Sequence, residues 1–258
     1  MRGITAWVIV LWTALVPATA ASAGGVRDLA DAWLVDGREL ARWLRSEPGE
    51  ESDAWWLETT QGRLWGLPEL PQVGVRLAHD PSPWLVTLGW ERLGADLYAE
   101  RTLRGQVMRD CGWLVGVGVE HRGLALGGSA IASHLTLQLN VGTPSLGPFR
   151  CDLSWPLTAA PPWFGTRGPR RWLRLLYAPA DGLLAVRLDR RPDGSPTVQV
   201  EVVLPLAPRM ACSGRLDTAS ATLGFGTAWR VNRLLLRTGH LVHPDLGVSH
   251  RVGLGVRL

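Results

Sequence analysis

Apolar and polar residues alternate in many short stretches of the chain from about Leu70 onward. In residues 84–91, apolar side chains at the even positions alternate with Leu85, Thr87, Gly89 and Glu91. The same period of two recurs at 113–120, 135–141, 149–157, 198–204, 223–230 and 251–258. Because successive side chains of a strand point to opposite faces, each stretch predicts a strand with one apolar and one polar face.

The length and spacing of these stretches favour a membrane-spanning barrel over a soluble sheet. Strands of soluble sheets have about 5–6 residues and membrane-crossing strands about 9–11. The stretches 83–92 and 112–122 approach the longer figure, and turn sequences such as DPSP and RPDG separate the strands. At roughly 16 residues per strand and turn, residues 70–258 hold about 12 strands, an even number that suits a closed barrel. We therefore predict an all-β fold, an antiparallel transmembrane β-barrel of about 12 (up to 14) strands with a short, partly helical N-terminal segment.

The two faces of the strands suit a lipid-facing wall around a narrow lumen. The polar face is rich in glycine and thin in lysine, and arginine could pair there with Glu or Asp. Tryptophans lie near the ends of several stretches, as in the aromatic girdles of membrane barrels. These girdle candidates are Trp84, Trp90, Trp113, Trp155, Trp172 and Trp229. A soluble β-sandwich also alternates and remains the alternative fold.

The last stretch, GVSHRVGLGVRL, carries the alternation to the chain terminus at Leu258. Outer-membrane barrels often end in such a strand. Their usual final residue is aromatic, and Leu258 departs from that pattern.

The first 23 residues predict a secretory signal peptide. Arg2 supplies a positive charge, residues 4–16 are apolar, Pro17 follows, and the small residues ATAASA allow cleavage after Ala20 or Ala23. An uncleaved membrane anchor is the alternative, although the apolar run is short for a span.

Residues 24–66 have a different pattern from the remainder of the mature chain. Their apolar residues follow a helical spacing that Gly37 interrupts and that Pro48 ends. These apolar residues are Leu29, Ala32, Trp33, Leu40, Trp43 and Leu44. We predict one or two short helices and then a loop through Trp55 and Trp56. This segment would form a plug or cap inside the lumen or at its mouth, with the barrel at 67–258.

Composition and charge exclude some classes of function. Apolar residues make up 46% of the chain and charged residues 19%, and the net charge of +4 comes from basic residues that are spread singly. No basic block with interleaved aromatics is present, so we predict no nucleic-acid partner. The three cysteines, Cys111, Cys151 and Cys212, have no CxxC spacing and are predicted to act as small hydrophobic residues.

Candidate chemical groups are few, and each has a structural explanation. His240, His243 and His250 lie close in sequence with Asp245, and we expect His243 and His250 to face each other across a hairpin in a structural role. No nucleophile elbow occurs, and the positions of the remaining hydrolase candidates, Ser154 and His134, have opposite parity in our strand assignment. We predict no catalytic, cofactor-binding or metal-ligating residue and no cofactor, so the protein would not be an enzyme.

The C-terminal part of the chain resembles a group of outer-membrane barrels, the PorV and fatty-acid-transporter-like (FadL-like) group. The resemblance rests on GPRRWLRLLYAPADGLLAVRLDRRP, on SPTVQVEVVLPLAPRMACSGRLDTASATLGFG and on HLVHPDLGVSHRVGL, with LWGLPELP and GADLYAERTL upstream. It covers most of residues 64–258. The Asn-Pro-Ala-Gly-Leu-like motif of that group's N-terminal plug is missing. The predicted barrel is also short for the group, whose barrels typically have fourteen strands.

Together these observations predict an exported, non-enzymatic outer-membrane barrel that passes or presents hydrophobic or small solutes. A scaffold of a secretion or assembly system, which the resemblance implies, and a soluble periplasmic binding module are the alternatives. The expected partners are outer-membrane lipid and lipopolysaccharide, with a hydrophobic ligand or other envelope proteins as further candidates.

Overall fold

The computed structural model describes residues 35, 40–41, 44, 55–79, 81, 83–95, 97–143, 147–158, 171–190, 196–218 and 221–258. These residues form an antiparallel sheet of fourteen strands in which each strand pairs with its neighbours in sequence. Pairing of the first strand with the last closes the sheet into a barrel. The predicted barrel is therefore confirmed, at the upper of the expected strand counts. A single closed sheet is incompatible with the alternative sandwich, which needs two sheets packed face to face.

The strands are longest on one side of the barrel. Their bounds are β1 Trp55–Arg63, β2 Pro71–His79, β3 Trp84–Gly94, β4 Tyr98–Asp110, β5 Leu114–Leu126, β6 Ser129–Gly142, β7 Phe149–Pro156, β8 Arg171–Tyr177, β9 Leu183–Arg190, β10 Pro196–Ala207, β11 Met210–Asp217, β12 Thr222–Val231, β13 Leu234–His243 and β14 Gly247–Arg257. Neighbouring strands β4, β5 and β6 have 13, 13 and 14 residues, whereas β7 and β8 have 8 and 7. The wall is therefore taller along β4–β6. No helix among the described residues is long and apolar enough to cross a membrane.

The barrel has two distinct rims. At one rim the Leu258 amide donates a hydrogen bond to the Trp55 carbonyl oxygen at 2.9 Å, so the first and last strands meet there. We call this rim the termini end and the opposite rim the loop end. Connections at the termini end span at most six residues, whereas the longest connection, residues 157–170 between β7 and β8, lies at the loop end.

An apolar belt surrounds the barrel. Outward side chains at the strand centres remain exposed, for example Leu88 (54%), Leu137 (41%) and Leu254 (47%). On β4 the apolar belt lies between the outward residues Arg101 and Arg109. Their separation corresponds to about 27 Å along the strand and about 20 Å along the barrel axis at the usual tilt. The belt thus has the composition and the approximate height of a lipid-facing surface.

The barrel begins earlier in the chain than the alternation alone indicates. β1 occupies the predicted loop through Trp55 and Trp56, so the wall starts there rather than at residue 67. The outward positions of β1 include Thr59, Gln61 and Arg63, which are polar. Because its outward face is only partly apolar, β1 gives a weak period of two.

Four described residues of the predicted plug segment lie inside the barrel. Val35, Leu40, Ala41 and Leu44 are buried. The Leu44 amide donates to the Leu40 carbonyl oxygen at 2.9 Å, as in one turn of an α-helix. The predicted signal peptide at 1–23 and the other residues of the predicted helices lie outside the described part of the chain.

Aromatic residues cluster on the outer wall at the termini end. Trp55, Trp84 and Trp113 are 43%, 44% and 53% exposed there, and Phe149 stacks on Tyr177 with ring centroids 4.6 Å apart. This arrangement is typical of an interfacial girdle.

One predicted girdle residue, Trp172, is placed differently. The register of β8 directs it into the lumen, where the Arg187 guanidinium lies 5.1 Å from its ring centroid. The prediction was wrong because Trp172 has the parity of Arg174 and Leu176, which also point inward.

Candidate functional site in the barrel lumen

Charged side chains are sorted between the two faces of the barrel wall. In the described strands every Asp and Glu occupies an inward position of the register, whereas arginines occupy both faces. The inward carboxylates are Glu58, Glu91, Glu100, Asp110, Glu120, Asp152, Asp189, Glu201 and Asp217. The inward arginines are Arg76, Arg104, Arg122, Arg150, Arg174, Arg187, Arg215, Arg230, Arg237, Arg251 and Arg257. The polar face of the strand pattern is therefore the lumen.

Toward the termini end, one side of the lumen wall is largely apolar and holds the plug residues. Val35, Leu40, Ala41 and Leu44 form one buried cluster with inward side chains of β1, β2 and β8–β13. The strand members are Trp56, Ala78, Leu176, Leu183, Ala185, Val203, Ala211, Ala228 and Leu235. Burial of apolar surface, at about 25 cal/mol per Å², holds the segment against this side of the wall.

Two buried charges bind the plug backbone directly. The Val35 amide donates to Glu201 Oε2 at 3.0 Å, and Arg237 Nη1 donates to the Val35 carbonyl oxygen at 3.1 Å. Arg237 also lies 3.7 Å from Glu58 Oε1 and 4.0 Å from Glu201 Oε1. The three side chains are 7% exposed or less. We call Glu58, Glu201 and Arg237 the plug clamp, since they fix both backbone groups of Val35.

A polar cavity of about 390 Å³ lies beside the plug clamp, along the inner faces of β1–β6. Its charged lining residues are three glutamates, Glu58, Glu91 and Glu120, and six arginines. The arginines are Arg76, Arg104, Arg122, Arg187, Arg237 and Arg251. Neutral lining comes from Thr, Gln, Asn and Gly residues together with apolar residues that include Val35 and Trp172. Among the described residues, the charged lining has an excess of three positive charges.

The cavity carboxylates are held between arginines or amides. Glu120 accepts from Arg104 Nε at 2.6 Å and from Arg122 Nε on its own strand. Gln72 donates to Glu91 and accepts from Arg251, so Gln72 lies between the two charges. Charge-assisted hydrogen bonds of this kind fix the orientation of the side chains. The cavity therefore presents a fixed pattern of charge, in which arginine predominates.

The histidine candidates do not converge on a site. His240 pairs with His250 across the β13–β14 hairpin, with their Nδ1 atoms 2.7 Å apart on the outer wall. His243 instead accepts hydrogen bonds from the Asp245 and Leu246 amides in the turn. The expectation that His243 faces His250 was wrong, because the three-residue turn at 244–246 places His243 opposite Gly247.

The remaining candidate groups also lie apart. Ser154 and His134 both point inward, contrary to the parity expected from the sequence. Ser154 is opposite Asn140, and Asn140 is six positions along β6 from His134, which corresponds to about 20 Å. The three cysteines are unpaired, and no group of His, Cys, Asp and Glu among the described residues could hold a metal ion.

The lumen charges are the functional residues that sequence reasoning missed. Glu201 and Arg237 are the only charged residues of β10 and β13, which is the signal that could have identified them. Their common contact with Val35 spans 166 and 202 residues of the chain and has no local signature.

Comparison with known proteins gives a likeness in structure and none in sequence. No protein-family model and no curated protein matches the sequence. The outer membrane protein Omp33 of Acinetobacter baumannii superposes with a TM-score of 0.54 at 8% identity, over 80% of this chain and 98% of that one. A bacterial polysaccharide outer membrane secretin gives 0.49 at 7% identity over 81% and 100% of the two chains. The KdgM porin gives 0.45 at 8% identity over 78% and 98%.

The Omp33 likeness shows the fold, because the barrels correspond over nearly all of Omp33. It agrees with the closed fourteen-strand sheet, the exposed apolar belt and the aromatic girdle. The prediction of an outer-membrane barrel is confirmed at this level. The chain has the fold of an outer-membrane β-barrel protein, with a charged lumen and a segment of its own N-terminal region bound inside.

Proposed function

We propose that the protein resides in the bacterial outer membrane and passes small polar solutes through its lumen, with a preference for anions. The observation that carries this proposal is the cavity lined by six arginines and three glutamates. In a narrow lumen with low-dielectric walls, such an excess of one sign raises the local concentration of the opposite ion.

The lining favours polar solutes over a hydrophobic ligand. Pockets for apolar ligands are lined mainly by apolar and aromatic side chains, whereas charged, amide and hydroxyl groups outnumber the apolar residues of this lining, such as Val35 and Trp172. The apolar part of the lumen is occupied by the plug residues Leu40, Ala41 and Leu44.

The resemblance to the PorV and FadL-like group supports a second role, that of a scaffold or a carrier of hydrophobic ligands. The fourteen strands agree with the count typical of that group. Co-purification of a stable envelope partner under crosslinking would favour this role over solute passage.

Ion selectivity in planar bilayers tests the proposed passage. With a tenfold KCl gradient, the reversal potential should have the sign of an anion-selective pore. Neutralising both arginines that flank Glu120, in R104Q/R122Q, should shift the potential toward cation selectivity. Conversely, Glu120→Gln should strengthen the anion preference. A threefold change in the permeability ratio corresponds to a free-energy difference of about 0.65 kcal/mol. Removing two positive charges from the lumen wall should change the electrostatic energy of a passing ion by more than this, so the shift should be measurable.

The matched control is R104K/R122K, which keeps the charge and removes the guanidinium geometry. It should retain the selectivity of the wild type. Channels that are cation-selective, or that respond equally to the Gln and Lys variants, would contradict the proposal.

A further inference from the structure

The outward face of the barrel carries charge of one sign. The outward charged side chains of the described strands are all arginines, and no carboxylate occupies an outward strand position. These arginines are Arg63, Arg92, Arg101, Arg109, Arg171 and Arg190. The chain contains no lysine, since all of its basic residues are arginine. No carboxylate on the outer face of the described strands neutralises these arginines.

The outward arginines gather at the loop end, and four of them form two directly opposed pairs. Arg92 on β3 pairs in register with Arg101 on β4, and Arg171 on β8 pairs with Arg190 on β9. Arg63 also lies at this rim, and Arg109 alone lies near the termini end.

The Arg92–Arg101 pair lies where the apolar belt ends. One outward row closer to the barrel centre, Trp90 is opposite Leu103, with 40% and 56% of their surfaces exposed. In the arginine row itself the flanking outward residues are Gly123 on β5 and Val73 on β2, so the pair lies at the edge of the apolar belt. A lipid whose acyl chains cover Trp90 and Leu103 would thus place its headgroup at the level of the two arginines.

An opposed arginine pair is unfavourable without an anion. Like charges directly across a strand pair destabilise a sheet, and the repulsion grows near a low-dielectric belt. Arg92 Nε is shielded from solvent and has no hydrogen-bond acceptor among the described residues. A phosphate group between the two guanidinium groups would supply acceptors for both, because guanidinium binds phosphate in a bidentate manner.

We propose that the Arg92–Arg101 pair binds the phosphate of lipopolysaccharide in the leaflet that surrounds the loop end. Extracellular loops of outer-membrane barrels are longer than periplasmic turns, and the longest connection of this barrel is at the loop end. The proposal does not extend to the Arg171–Arg190 pair, because the Arg171 guanidinium already lies 3.8 Å from the Trp155 ring centroid. The Arg92–Arg101 site does not depend on whether the lumen conducts.

Binding of fluorescent lipopolysaccharide to the full barrel in zwitterionic detergent micelles tests the proposal. R92Q/R101Q should bind roughly tenfold more weakly or worse, because it loses the charge-assisted contacts of both guanidinium groups. The matched control R109Q removes an outward arginine of the same strand at the termini end and should bind as the wild type does. Heat-modifiable gel migration and bilayer conductance should be unchanged in both, which separates this test from that of the proposed function. If the double variant does not fold, the single variants R92Q and R101Q replace it, each with a smaller loss.

Thermal unfolding gives a second test, in which the variant that binds lipopolysaccharide more weakly should not be the less stable protein in its absence. Without lipopolysaccharide, R92Q/R101Q should be as stable as the wild type or more stable, because the like-charge pair is removed. With lipopolysaccharide the wild type should gain more in Tm than the variant. A purely structural role of the two arginines would give a less stable variant under both conditions.

Four results would overturn the proposal. The first is that R92Q/R101Q binds lipopolysaccharide as well as the wild type does, and the second is that R109Q loses as much binding as R92Q/R101Q. The third is that phosphatidylglycerol micelles bind as strongly as lipopolysaccharide and also depend on the arginine pair. The fourth is that millimolar inorganic phosphate displaces lipopolysaccharide completely. The last two would assign the pair to another lipid or to a free anion.

Discussion

The plug clamp makes Arg237 a side chain whose replacement should destabilise the barrel strongly. Arg237 is 4% exposed, and Glu58 and Glu201 are 7% and 1% exposed. In Arg237→Gln the two carboxylates lose their shared cation, and the Val35 carbonyl oxygen loses its charged donor. Breaking a buried ion pair from one side costs about 3–5 kcal/mol, so we expect a loss of this size in the free energy of unfolding.

Urea unfolding of the refolded barrel in detergent, followed by tryptophan fluorescence and gel migration, measures this loss. Glu201→Gln removes the opposite charge while its amide oxygen can still accept from the Val35 amide. The double variant R237Q/E201Q leaves no uncompensated charge on Glu201, and its cost should be about 1–3 kcal/mol less than the sum of the single costs. Additive costs, or a loss below about 1 kcal/mol for Arg237→Gln, would refute the clamp as described.

Three further predictions address the apolar belt, the packing of Trp56 and the orientation of the barrel. Leu137→Arg places a charge on the outward belt and should cost about 2–4 kcal/mol in bilayer unfolding measurements, whereas a soluble barrel would tolerate it. At Gly255 a side-chain carbon would overlap the Trp56 indole. Gly255→Ala should therefore lower the free energy of unfolding in urea by about 1–3 kcal/mol. A cost near zero would show that the indole can move. Cys111 is exposed in a turn at the termini end. A membrane-impermeant maleimide should label it only after the outer membrane is permeabilised, and not in intact cells. Labelling of Cys111 in intact cells would reverse the assigned orientation.

The strand pattern predicted the architecture well because the side-chain period of a strand is a local property. Leu88 and Glu91 were assigned to opposite faces from their parity alone, and the structure places them so. The strand count was less certain, since β1 carries Thr59, Gln61 and Arg63 on its outward face and gives little alternation. Its pairing with β14 connects residues about two hundred positions apart, which no window of sequence contains.

The sequence by itself determined which side chains share a face, and thereby the sorting of carboxylates away from the apolar belt. Only the tertiary structure decided which of those charges meet. Glu201, Arg237 and Val35 come from β10, β13 and the plug segment, and they converge because closure of the sheet brings distant strands around one lumen. Likewise, the direct opposition of Arg92 and Arg101 on the outer face follows from the register of β3 and β4. Register depends on the length and geometry of the connecting turn and on contacts along the whole strand pair, so it is a property of the folded chain.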